Sequence, residues 1–102
     1  MTRSADHVDA FNRAVRTGDW DTFAERFAPD ASMSFVGVPV GPFHGRAAIA
    51  AAYRENPPTE TMTLLEDGDR FVRFQWSSGD TGSMELDWAP DGTIQALTVN
   101  FD

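Results

Sequence analysis

Apolar residues in the first part of the chain recur with the period of an α-helix. Val8, Phe11 and Val15 are spaced by three and four residues, which places them on one helical face. We expect this helix to begin with Ser4 as its N-cap, because a serine hydroxyl can accept a hydrogen bond from a free N–H group of the first turn. It should end at Gly18, since glycine readily adopts the left-handed conformation that closes a helix.

Two further helices are predicted from the same period. The second begins after Asp19, a typical N-cap, and ends at Pro29; its apolar face consists of Trp20, Phe23, Ala24 and Phe27. The third covers residues 45–55 and is closed by the two prolines at positions 57 and 58. Its inward residues are predicted to be Ala48, Ile49, Ala52 and Tyr53.

Alternation of apolar and polar residues, typical of half-buried strands, replaces the helical period elsewhere. It occurs over residues 31–36 and in four stretches from residue 61 onward, separated by turn sequences. Residues 37–43 contain two prolines without N–H donors, so we interpret them as a loop at the rim of the sheet. The order is helix, helix, strand, helix and an antiparallel meander of four strands, which predicts an α+β fold.

Composition narrows the class of protein further. The chain has 102 residues, which predicts a single domain over 1–102. It contains no cysteine and no lysine, and its formal net charge of −8 disfavours nucleic acid and membrane surfaces as partners. We expect a cytoplasmic protein without a signal peptide or membrane span. The two histidines are far apart in the sequence and the carboxylates are scattered, so we predict no metal site. The chain has no glycine-rich phosphate-binding loop, and we predict no cofactor.

Three short segments resemble the nuclear transport factor 2-like superfamily. They are residues 18–21 (Gly-Asp-Trp-Asp), 27–31 (Phe-Ala-Pro-Asp-Ala) and 45–49 (Gly-Arg-Ala-Ala-Ile) followed by Tyr53, and the likeness extends over residues 8–101. The superfamily includes ketosteroid isomerases and the SnoaL-like polyketide cyclases. The resemblance implies a cone-shaped domain, in which a curved, mainly antiparallel sheet is wrapped by three helices around a pocket. It also implies a homodimer packed through the sheet.

The groups that carry ketosteroid isomerase chemistry are replaced in this chain. The resemblance places Phe35 at the position of the catalytic carboxylate, Phe11 at that of the oxyanion-binding tyrosine and Met84 at that of the protonated aspartic acid. Only Tyr53 matches. Phenyl and thioether groups neither accept a proton nor donate one to an enolate, so the usual isomerase mechanism is not expected.

His44 and Tyr53 are the candidate catalytic residues that remain. His44 precedes the third helix at the predicted rim, where an imidazole can act as acid or base or can simply front the helix. The Tyr53 hydroxyl can donate to a ligand carbonyl or to a backbone acceptor in the core. His7 is expected to face solvent.

The predicted pocket is apolar, and its residues can equally well form a packed core. They are Phe11, Met33, Phe35, Phe74, Trp76, Met84, Trp88, Val99 and Phe101. The sequence therefore predicts binding of a small hydrophobic molecule, either by a SnoaL-like cyclase or isomerase or by a non-catalytic binding, dimerising or protein-binding module. The outer sheet face, with Phe71 and its polar neighbours, is expected to form a homodimer interface.

Overall fold

The computed structural model describes residues 2–102, and its first helix, α1, covers Arg3–Thr17. The N-cap is Thr2 rather than the predicted Ser4: the Thr2 hydroxyl accepts a hydrogen bond of 3.1 Å from a first-turn N–H group. Ser4 is instead fully buried, and its hydroxyl donates to the carbonyl of Gly68. The predicted helix end is confirmed, because Gly18 adopts a φ of 78°.

The second helix, α2, is shorter than predicted and covers Trp20–Ala24. Asp19 caps it as expected, accepting a hydrogen bond of 3.1 Å from the N–H of Thr22. Phe27 is not helical but opens strand β1, Phe27–Val36. Pro29 lies inside this strand, at the point where its pairing shifts register, so the missing proline N–H interrupts no regular ladder.

The remaining elements follow the predicted order, except that the end of the rim loop forms a short strand. They are β2 (Phe43–His44), α3 (Arg46–Glu55), β3 (Met62–Asp67), β4 (Phe71–Trp76), β5 (Thr81–Trp88) and β6 (Ile94–Phe101). The six strands form one sheet in the order β2-β1-β6-β5-β4-β3. Only β1 and β6 pair in parallel, and the predicted antiparallel meander of β3 to β6 is confirmed. The architecture is α+β with a mainly antiparallel sheet.

The three helices cover one face of the sheet. Helix α1 packs against β3, whereas α3 packs against α2 and β1. The largest completely buried side chains include Phe27 of β1, Phe74 of β4 and Leu86 of β5, so the core lies between the helices and the inner sheet face. Within residues 2–102, no helix is both long and apolar enough to cross a membrane.

Candidate functional site

A cavity of about 560 Å³ lies between the helices and the inner face of the sheet. Its volume is within the range of pockets that enclose drug-sized molecules. Seven of the nine side chains predicted to line a pocket do line this cavity: Phe11, Met33, Phe35, Trp76, Met84, Val99 and Phe101. The alternation of the strands therefore selects the cavity wall, because side chains two residues apart point to the same face of a sheet.

Phe74 is predicted to line the pocket but is completely buried and does not line the cavity. The ring packs onto the sheet where β5 presents Gly82 instead of a side chain, and the two residues are direct partners in the β4–β5 pairing. A Cβ atom at Gly82 would lie only 2.8 Å from Cζ of Phe74 and 2.6 Å from the carbonyl oxygen of Asn100. The glycine therefore leaves the space that the phenyl ring fills.

Trp88 is the second predicted lining residue that lies outside the cavity. Its indole N–H donates a hydrogen bond of 2.7 Å to the carbonyl of Asp69, and the Arg3 guanidinium lies 4.7 Å from the ring centre. A β-bulge between Asp87 and Trp88 accompanies this placement at the end of β5. Trp88 thus fastens the start of α1 to the sheet.

His44 and Tyr53 are not brought together in the cavity. Phe43 and His44 are the two residues of β2, and consecutive strand side chains point to opposite faces. Phe43 lines the cavity, whereas His44 is exposed and does not line it. His44 and Tyr53 therefore do not face the same cavity.

Tyr53 is buried and lines the cavity from α3. Its ring stacks on Trp20 with a centroid distance of 4.6 Å and an interplanar angle of 6°, and it meets Phe23 edge-on at 5.3 Å. The hydroxyl oxygen is not one of the completely buried side-chain atoms that lack a hydrogen-bond partner, in contrast to Nδ1 of His7. Burial raises the pKa of Tyr53 above its ordinary value, so the phenol stays protonated.

His7 of α1 is the polar residue of the cavity that the sequence analysis missed. It is 1% exposed, against the expectation that it faces solvent, and its ring lies 5.3 Å from Phe23 and 6.2 Å from Phe27. Its Nδ1 is buried without a hydrogen-bond partner in the described part of the chain. Burial, assisted by the charge of Arg26, lowers the pKa of His7 to about 3, so the imidazole is neutral at neutral pH.

The helical period contains the information needed to find His7. It lies four residues before Phe11 and three after Ser4, on the stripe that continues to Ala14. A polar residue on a buried stripe either has a partner or faces a cavity, because an unpaired buried polar group is costly.

The cavity has a buried end that contains His7 and Tyr53, here called the deep end, and an exposed end, here called the mouth. The two ends differ in charge. The described lining residues include four carboxylates, Glu55, Glu60, Asp80 and Asp102, and no arginine. Glu60 accepts a hydrogen bond of 2.8 Å from the N–H of Ser78. Asp102 accepts a hydrogen bond of 2.6 Å from the Thr81 hydroxyl.

Three positions that correspond to catalytic residues of the ketosteroid isomerases form part of an apolar wall in this chain. Phe11, Phe35 and Met84 line the cavity together with Tyr53, so the hydroxyl is the single polar group of that set. In residues 2–102, no group of three or more histidine, aspartate or glutamate side chains is placed to hold a metal ion. The polar chemistry available at the deep end is therefore that of a neutral imidazole and a phenol. Both can donate hydrogen bonds, and neither exchanges its charge near neutral pH.

Comparisons with known proteins agree with this fold. Two solved structures are similar over 98% of this chain at 16% sequence identity. A candidate isomerase from Bacillus subtilis has a TM-score of 0.74 and is covered over 86% of its length. A SnoaL-like protein of unknown function from Burkholderia thailandensis has a TM-score of 0.75 and is covered over 94%. At this level of identity the likeness concerns the fold, and no curated protein matches the chain.

The family assignment comes from the sequence itself. The family model of the SnoaL-like domain matches residues 8–99, nearly the whole chain, in agreement with the resemblance of the three short segments to the nuclear transport factor 2-like superfamily. The chain therefore belongs to the SnoaL-like domain family.

Proposed function

We propose that the cavity binds one small, mainly apolar molecule that carries a hydrogen-bonding group at its deep end. The observation behind this proposal is the combination of a mainly apolar cavity of about 560 Å³ with two buried polar side chains, His7 and Tyr53, of which His7 has an Nδ1 atom without a protein partner. A buried polar atom left unpaired costs about 1–3 kcal/mol. A ligand carbonyl or hydroxyl would remove that cost.

In this proposal the two polar groups bind one shared ligand atom. The rings of His7 and Tyr53 each lie 5.3 Å from the ring of Phe23, on two different helices that flank the same cavity. A neutral imidazole N–H and a phenol O–H can both donate to one carbonyl oxygen. The apolar remainder of the ligand would then contact the aromatic and methionine side chains of the sheet.

Catalysis of a cyclase or isomerase type is the second candidate function. The same pair of donors favours it, since two preorganised donors stabilise an oxygen that becomes negative in the transition state. The low pKa of His7 and the raised pKa of Tyr53 argue against either group as the proton acceptor at neutral pH. Binding without turnover is therefore the first proposal. Exchange of α-protons of a bound ketone into deuterated water, followed by NMR, would favour catalysis.

Fluorescence titration with 9-anthracenemethanol, complemented by calorimetry with a steroid ketone, tests the binding proposal. Ala52 lines the cavity, whereas Ala47 on the same helix is exposed and does not line it. We expect Ala52→Phe to weaken binding at least about tenfold by filling the cavity, and Ala47→Phe to leave it unchanged. Binding of neither probe to the wild type, or equal binding to Ala52→Phe, would contradict the proposal.

We also propose that the outer sheet face pairs with a second copy of the chain. Phe71 is 44% exposed on this face, where its direct cross-strand partner is Glu85 and the next outward residue of its own strand is Arg73. Light scattering should give a dimer at micromolar concentration, and Phe71→Glu should give a monomer. Val38→Glu, an equal change at an exposed apolar residue of the rim loop, serves as the control. A monomeric wild type would contradict this proposal.

A further inference from the structure

The mouth of the cavity collects negative charge from several elements of the fold. Glu55 comes from the end of α3, Glu60 from the segment after it, Asp80 from the β4–β5 turn and Asp102 from the residue after β6. Four carboxylates from four parts of the chain therefore surround one opening. A ring of this kind attracts cations and repels anions that approach the cavity.

The C-terminal end of α3 adds a further negative potential. Residues 55–58 line the cavity, so the helix ends at its mouth. Pro57 and Pro58 have no N–H group and cannot donate to the carbonyls of Tyr53 and Arg54, four residues earlier. These carbonyls retain acceptor capacity, and free carbonyls at a helix end carry partial negative charge.

Aromatic rings lie next to the carboxylates. Trp76 and Phe101 both line the cavity and are stacked, with centroids 6.2 Å apart and an interplanar angle of 11°. Phe101 precedes Asp102 in the chain. The backbone N–H of Trp76 donates a hydrogen bond of 2.7 Å to the backbone carbonyl of Asp80. Aromatic faces beside carboxylates are favourable surroundings for an organic cation.

Few positive charges compensate this potential. Arg73 faces Asp102 with an N–O distance of 3.6 Å, which reduces the charge of one carboxylate of the four. Arg54 follows Tyr53 on α3 but pairs with Asp21 of α2, and neither of the two charged residues lines the cavity. The mouth therefore remains negative.

We infer that the ligand of this cavity carries a basic amine as well as an apolar body. The inference rests on the proposed binding function and adds the charge class of the ligand: the apolar body occupies the interior, and its ammonium group lies among Glu55, Glu60 and Asp80 at the mouth. The unpartnered, 1% exposed His7 is an independent indication that a ligand occupies the interior. Anionic ligands such as carboxylates and phosphates are disfavoured.

Three fluorescent probes with one apolar body test the charge preference. They are 9-(aminomethyl)anthracene, 9-anthracenemethanol and 9-anthracenecarboxylate. We expect the amine to bind about tenfold tighter than the alcohol, and the carboxylate about tenfold weaker than the alcohol, at low salt. The preference should shrink severalfold between about 20 mM and about 500 mM NaCl, because the mouth is exposed to screening ions. Equal affinities of the amine and the alcohol would overturn this inference and leave the binding proposal intact. Failure of all three probes to bind would overturn both.

Double variants that remove two carboxylates at once test whether the mouth causes the preference for the amine. Glu55→Gln combined with Asp80→Asn should reduce the ratio of amine to alcohol affinity at least about threefold, with little change for the alcohol. Asp9→Asn combined with Glu25→Gln removes the same charge from exposed positions on the helical side that do not line the cavity, and should leave the ratio unchanged. An unchanged ratio in the first variant, or an equal drop in the second, would overturn the assignment.

Discussion

The two ends of the cavity use polar residues in opposite ways. At the deep end, His7 and Tyr53 are buried among aromatic rings. Burial lowers the pKa of His7 and raises the pKa of Tyr53, so both side chains are neutral at neutral pH. At the mouth, Glu55 and Asp80 are exposed carboxylates. The lining of this cavity thus has uncharged hydrogen-bonding groups at its buried end and carboxylates at its exposed end.

Solvent exposure decides which kind of polar interaction each end of a cavity can offer to a ligand. Charge is costly in an interior without partners, so specificity there comes from neutral hydrogen bonds and shape. At the surface, charge costs little and acts over several ångströms, so it selects the sign of the ligand and steers its approach.

A new carboxylate at the deep end should have the largest effect on stability. Met84 is 1% exposed, and Met84→Asp would bury an acid without a basic partner. We expect the free energy of unfolding to fall on the order of 4 kcal/mol, measured by urea denaturation. Thr59→Asp at the exposed mouth should change it by less than about 0.5 kcal/mol. Similar losses in both variants would contradict the division by depth.

The pH dependence of stability should reveal His7. Its pKa is lowered from 6.5 to about 3 in the folded protein, so between these values the unfolded chain binds more protons than the folded one. Stability is therefore greatest above pH 6.5 and falls as the pH is lowered. The contribution of His7 should amount to roughly 2–3 kcal/mol between pH 6.5 and about pH 4.5.

His7→Phe isolates this contribution, since it removes the imidazole and keeps a ring in the same place. Urea denaturation at several pH values should show a flatter dependence in this variant than in the wild type. His44→Phe changes an exposed histidine and should retain the wild-type slope. Parallel slopes for wild type and His7→Phe would show that His7 is accessible to protons in the folded state.

Removal of the Tyr53 hydroxyl should have the smallest effect on stability. Tyr53→Phe keeps the stacking on Trp20 and breaks no hydrogen bond found among residues 2–102, so we expect a change within about 0.5 kcal/mol. The same variant should weaken binding of 9-anthracenemethanol about threefold to tenfold, the effect of one neutral hydrogen bond. A large loss of stability with unchanged binding would assign the hydroxyl to the core instead.

Most of the fold and of the cavity wall follow from local rules. Strand alternation alone indicates that Met33 and Val99 face the inner side of the sheet, where both line the cavity, because the pleat fixes the face of every second side chain. Gly18 and Asp19 marked the boundary between α1 and α2, because left-handed glycine and an aspartate cap act over a single turn. Such features need only the neighbouring residues.

The mistaken predictions concern residues whose environment is set by distant parts of the chain. Ser4 resembles an N-cap locally, but it is buried because Gly68 offers its hydroxyl an acceptor from across the fold. Pro29 resembles a helix end, yet the chain leaves the helix four residues earlier to let Phe27 pair with Ile94. His7 is buried because Phe23 and Phe27, which lie outside its own helix, pack against its ring.

Gly82 constrains the inner sheet face at a point that does not line the cavity. Because this position has no side chain, the ring of Phe74 packs directly against the backbone of β5. A methyl group here would clash with the ring and with the carbonyl oxygen of Asn100, so the ring or the β5–β6 pairing would have to shift. The residue at position 82 is therefore dictated by packing inside the sheet and not by any molecule that the cavity accepts.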